Sequence, residues 1–230
     1  MKFDRRGVHI CLRGRLACLC WLERPFSFTE RLAKTCLREG DCFIDLGANI
    51  GLASLRAAKI VKGHGRIIAL EADERTADLL RENIGLNAFR NIWVPSYAAA
   101  ADDGPAFLSG SDTETVLAAK GRKTAADTID NIVLVETDHI SLLLADVNTD
   151  PFAVLSGARA ALAKTDAVAA VVRHGKFSDR TAEFLGELGF TVSPVQSEKD
   201  GLTDEDISVL YAARDPLAFA VRLGSNPFQS

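Results

Sequence analysis

Short apolar runs alternate with amphipathic stretches along most of the chain, and that alternation sets the expected order of elements. Phe43, Ile44 and Leu46 surround one carboxylate, Asp45, and read as a buried strand over 42–46. Leu52, Leu55, Ile60 and Val61 then recur at helical spacing over 52–62. A second strand is expected over 66–70, ending before Glu71. A helix over 72–86 follows, apolar at Leu79, Leu80, Ile84 and Leu86. A turn over 87–91 leads to a third strand, 92–95, and strand-like pieces at 106–108 and 115–117 come after the Asp103-Gly104 turn. Lys120 to Lys123 reads as a solvated basic loop. Further strands are expected at 140–144, running into Asp146, and at 167–172. A helix over 177–188 stops at Gly189, and the chain closes with a strand at 190–195, a polar loop over 196–206 and a strand at 207–213. Upstream, Ser27 or Thr29 caps a helix running to about Arg38, which Gly40 ends. Residues 1–25 are expected to add a strand and a short helix at the sheet edge.

Strand–helix alternation of this kind predicts an α/β fold with a mostly parallel sheet. A chain of 230 residues can bury about 70% of its unfolded surface in one core. One domain over 41–230 is expected, preceded by an extension over 1–40.

The candidate chemistry gathers after the first strand. Gly47 and Gly51 bracket a turn at the strand's carboxyl end, where open α/β sheets place their ligand crevice. Glycine turns sharply there and leaves room for a ligand. Glu71 stands twenty residues beyond Gly51, where a carboxylate can accept hydrogen bonds from both hydroxyls of a ribose. A nucleoside ligand follows. A dinucleotide does not, because Asn49 and Leu52 occupy positions where its Gly-x-Gly-x-x-Gly turn needs glycine. The pattern Asp45-x-Gly47-x-x-x-Gly51 instead resembles motif I of the class I methyltransferases. That resemblance implies a Rossmann-like sandwich of seven strands, one of them antiparallel. It also implies S-adenosylmethionine as cofactor, with the turn of Gly47, Ala48, Asn49 and Gly51 under its methionine part and Glu71, followed by Ala72, at its ribose.

Charge and cysteines narrow the setting. The net charge of −4 lends no support to a nucleic-acid partner, although the first 25 residues carry six basic and two acidic side chains. No apolar run approaches the ~20 residues of a membrane span, and no signal peptide with a cleavage site is visible. All five cysteines lie within the first 42 residues, without disulfide-framework spacing, which argues for a reducing cytosol. His9, Cys11, Cys18 and Cys20 do not follow a familiar zinc spacing.

The run Gly40-Asp41-Cys42-Phe43-Ile44-Asp45-Leu46-Gly47-Ala48-Asn49-Ile50-Gly51 carries a closer likeness. With Leu70-Glu71-Ala72, Thr128-Ile129-Asp130, Asp146-Val147 and Val154 to Ala158, it resembles the FkbM family of methyltransferases over most of 36–175. The likeness implies O-methylation of a hydroxyl on a polyketide, sugar or related small metabolite. Two segments depart from the family pattern. Its Lys-x-Asp-Val-Glu-Gly stands here as Leu144-Ala145-Asp146-Val147-Asn148-Thr149, and its Glu-x-His as Val172-Arg173-His174.

Methyl transfer to an aliphatic hydroxyl needs in-line alignment and a base, or a metal that acidifies the hydroxyl. His174, with an ordinary pKa near ~6.5, is the expected proton acceptor, and Asp146 is expected to hold the acceptor hydroxyl or the cofactor's ammonium. Asp146, Asn148 and Asp150 offer oxygens suited in type to Mg²⁺, but Asx residues also form turns, and no metal site is assigned. Two other readings remain: a non-catalytic binding or assembly protein of the same fold, and an RNA methyltransferase, suggested by Arg81-Glu82-Asn83 with Asn87 and Asn91.

Overall fold

Alternate residues of the 42–46 strand face opposite sides of the sheet: Phe43 packs on one side and Ile44 and Leu46 on the other, all fully buried. Asp45 therefore shares the face of Phe43. The computed structural model describes residues 2–4, 7–11, 27–95, 97–110, 116–118, 120–133, 137–148, 150–172, 179–201 and 206–229.

In chain order, β1 (Lys2–Asp4) and β2 (His9–Cys11) form a hairpin and α1 (Phe28–Cys36) follows. Next come β3 (Cys42–Leu46), α2 (Leu52–Val61), β4 (Arg66–Leu70), α3 (Glu74–Leu86) and β5 (Ile92–Trp93). Four strands, β6 (Ala98–Ala100), β7 (Gly104–Ser109), β8 (Val116–Ala118) and β9 (Arg122–Thr128), lead to the short helix α4 (Ile129–Val133). The remainder holds β10 (Leu142–Asp146), α5 (Phe152–Leu155), α6 (Arg159–Ala163), β11 (Ala167–Val172) and α7 (Asp179–Glu187). It closes with β12 (Thr191–Val192), β13 (Gln196–Lys199), β14 (Asp206–Ala213) and α8 (Pro216–Leu223).

Seven strands form the main sheet in the order β12-β14-β11-β10-β3-β4-β5, and β13 adds a further pairing to β14. The pairs from β11 through β5 are parallel, while β14 runs antiparallel to β11, β12 and β13. Parallel strands buried on both faces read as continuous apolar runs, as in Ala167–Val172, where every residue is buried. Helices α1, α2 and α8 share one core with Phe43, Leu144 and Tyr211; α4, α6 and α7 share the other with Ile44, Leu143 and Leu210.

Several element boundaries differ from the sequence expectation. Ser27, not Thr29, caps α1 through a reciprocal pair with Glu30, and the helix ends at Cys36 because Leu37 turns extended. Asp73 caps α3, which therefore begins at Glu74 rather than at 72. The polar 196–206 stretch is not all loop. Residues 196–199 are an edge strand, where one face meets solvent and polar residues are tolerated. The basic 120–123 loop is likewise corrected, since Arg122 and Lys123 open β9 of a separate four-stranded sheet ordered β6-β9-β7-β8.

Candidate active site

The register of the parallel strands lines up Leu46, Leu70 and Asp146 at one rim of the sheet. From Leu46 the chain enters the glycine turn. The N–H groups of Gly47 and Ala48 both donate to the Leu70 carbonyl, at 2.9 and 3.0 Å, so the turn hangs on the end of β4. Gly47, Asn49 and Gly51 all adopt positive φ, at 82°, 51° and 95°. Asn49 tolerates that region, and its Oδ1 accepts the Ile50 N–H at 2.8 Å. This accounts for asparagine where a dinucleotide turn carries glycine.

On the Cβ side of the two glycines the space is filled by the protein itself. A Cβ on Gly47 would lie 2.0 Å from the Asp146 carbonyl oxygen, and one on Gly51 2.4 Å from Leu80 Cδ1. These glycines let β10 and α3 approach the turn.

Glu71 sits half-buried just past β4 with both carboxylate oxygens engaged. Oε2 accepts the Asn49 N–H at 2.8 Å and Oε1 the Asp73 N–H at 2.9 Å. Burial raises its pKa above the usual carboxylate range, against these backbone donors, which lower it. A carboxylate offers about four acceptor positions, so Glu71 keeps capacity for further donors such as vicinal hydroxyls. Ala72, half-buried, continues the chain toward Asp73.

Asp45 is 2% exposed, and its Oδ2 accepts a 2.5 Å hydrogen bond from Ser54 Oγ on α2. Burial pushes its carboxyl up to about 7, the Ser54 bond pulls it down, and the charges of Asp146 and Glu71 push it up again. Asp45 thus feels the charges of both neighbouring acids at this rim. Asp146 ends β10 half-buried.

The 144–150 segment is less uniform. Leu144, which replaces the lysine of the FkbM pattern, is fully buried in the core with Phe43. Asn148 is exposed, and Asp150 Oδ1 accepts the Phe152 N–H at 3.1 Å and the Thr181 hydroxyl at 3.0 Å. Asp150 thereby starts α5 and ties it to α7. No group of metal-ligating side chains assembles among the described residues. Thr149, Arg173 and the expected base, His174, lie outside the described residues, as do Cys18 and Cys20.

Three participants carried no local signal. Ser54 reads as an ordinary helix residue until its contact with Asp45 is seen. Asp73 falls at the start of the helix expected over 72–86 and Arg122 in the basic loop expected over 120–123, yet they form an ion pair. The asparagines that suggested RNA chemistry serve the framework instead. Asn83, fully buried, accepts the Cys11 N–H at 2.6 Å and donates to the Ile50 carbonyl at 2.9 Å. Asn87 bonds both backbone groups of His9, and Asn91 donates to the Lys62 carbonyl.

No family model matches the sequence, and no curated protein matches it. Solved structures match in fold. A precorrin-6y C5,15-methyltransferase from Geobacter metallireducens is 12% identical with a TM-score of 0.52, over 90% of this chain and 94% of that one. Aeropyrum pernix fibrillarin, in complex with natively bound S-adenosyl-L-methionine, is 15% identical with a TM-score of 0.53, over 80% and 73%. Methyltransferase FkbM from Methylobacillus flagellatus is 18% identical with a TM-score of 0.51, over 76% of this chain but 44% of that one. The chain has the class I, Rossmann-like methyltransferase fold, with a mostly parallel mixed sheet.

Proposed function

We propose that the chain is an S-adenosylmethionine-dependent methyltransferase of the FkbM type, acting on a hydroxyl of a small metabolite, sugar or polyketide in the cytoplasm. One observation carries the reading. Glu71, at the end of β4, is tied to the glycine turn through Asn49 and still has acceptor capacity, as recognition of a ribose requires. The fold and the FkbM-like runs at 40–51 and 70–72 support it. The cofactor unit is taken as 41–230, with 1–40 as an extension.

When bound, S-adenosylmethionine supplies a methyl group already activated on a sulfonium. Gly47, Ala48, Asn49 and Gly51 would shape the floor under the methionine part, and Glu71 with Ala72 would hold the nucleoside. Asp45, buried behind the turn, would support it by holding the first turn of α2 through Ser54. Asp146 would orient the acceptor hydroxyl, and His174, following β11 in sequence, would take its proton. Alignment of this kind can supply ~7–11 kcal/mol.

The test is a melting curve with S-adenosylhomocysteine. A rise with this ligand and none with NAD is expected; no shift at millimolar ligand, or a shift with NAD alone, sinks the reading. The non-catalytic alternative has one observation in its favour, the buried Leu144 where the family has lysine. Ligand binding without turnover on any hydroxylated acceptor would select it.

A further inference from the structure

The four-stranded sheet is no part of the seven-stranded layer, yet it reaches the candidate site through one side chain. Arg122, the first residue of β9, places its guanidinium Nη2 on Oδ2 of Asp73. The Asp73 side chain is 4% exposed and that of Arg122 40%. Asp73 Oδ1 caps α3 through the Arg75 N–H at 2.9 Å, and the Asp73 N–H donates to Glu71 Oε1, also at 2.9 Å. Asp73 therefore stands between Arg122 and the carboxylate assigned to the ribose.

From this chain of contacts we infer that Arg122 is a positioning residue for nucleoside recognition: it holds the Asp73 cap, and through it the orientation of the Glu71 carboxylate. The inference rests on the cofactor reading given above. Without the guanidinium, the buried Asp73 carboxylate loses a partner that fixes its position and can shift toward water. That shift pulls on the cap, whose backbone N–H fixes Oε1 of Glu71. The Asn49 N–H still holds Oε2, so the carboxylate rotates rather than leaves. Ribose recognition should suffer more than binding of the rest of the ligand.

Calorimetric titration of the full chain with S-adenosylhomocysteine and with its 2′-deoxy analogue separates these effects. Wild type should prefer the ribose form by about tenfold, the worth of a hydrogen bond to a charged acceptor. In Arg122→Ala the preference should fall several-fold toward unity, and Arg122→Lys, which keeps the cation, should recover part of it. Asp73→Asn should resemble Arg122→Ala. An unchanged preference in Arg122→Ala overturns the inference, as does an equal loss for both ligands, which marks general loosening. Wild type that binds neither ligand, or binds both equally, overturns instead the role given to Glu71.

Discussion

Ser54 Oγ on α2 donates to Asp45 Oδ2 on β3 at 2.5 Å, and Ser54 has no exposure to solvent. The bond joins the first turn after the glycine loop to the strand before it. Removing the hydroxyl leaves a buried acceptor short of a donor. Ser54→Ala is therefore expected to cost about 1–3 kcal/mol in urea denaturation. A change under about 0.5 kcal/mol, the range of ordinary surface substitutions, would mean the bond contributes nothing.

The same acid predicts a pH dependence. Asp45 in the folded chain is raised to about 7, whereas an unfolded aspartate titrates near ~3.9. Between those values the folded state holds a proton that the unfolded state releases. The stabilisation is complete below the unfolded pKa and is lost as pH rises through the folded one. Glu71 is raised as well and acts in the same direction. Melting temperature of the ligand-free protein should fall from pH 5 to pH 8 more steeply in wild type than in Asp45→Asn. Parallel profiles would remove Asp45 from the account.

The glycines should rank by what their missing Cβ would strike. Gly47 faces the backbone of Asp146, which cannot swing aside, while Gly51 faces the flexible end of Leu80. Gly40 has positive φ but nothing within 4 Å. Alanine at Gly40 should cost about 1 kcal/mol and at Gly51 somewhat more, with alanine at Gly47 costing most, at least ~3 kcal/mol. Equal losses at the three positions in chemical denaturation would contradict the packing argument.

Asn83 joins Cys11 of the hairpin to Ile50 of the glycine turn. Asn83→Ala strands one donor and one acceptor, and should speed amide exchange at Ile10 and Cys11 at least tenfold. Unaltered protection there would show that the hairpin docks without help from Asn83, through its apolar contacts and Asn87.

What the sequence made legible was the part whose cause is local. Runs such as Cys42–Leu46 and Ala167–Val172 are apolar because both sheet faces are covered, so they announce parallel strands without any knowledge of the fold. The spacing of Asp45, Gly47, Gly51 and Glu71 is likewise local to one βαβ unit. The four-stranded sheet was harder. β7 and β9 bury one residue each, so no apolar run marks them, and Arg122 meets Asp73 across 49 residues of chain, which no local pattern encodes. The role of Asn83 is hidden for the same reason, since its two backbone partners, Cys11 and Ile50, lie 72 and 33 residues away in the chain.

The central claim is that Glu71 reads the ribose of a nucleoside cofactor. Isothermal titration of wild type and Glu71→Ala with S-adenosylhomocysteine tests it most directly. The account predicts a measurable dissociation constant for wild type and a loss of about tenfold or more in the variant, with its fold retained by circular dichroism. Equal affinity in the two proteins, or no binding by wild type at millimolar ligand, would contradict it.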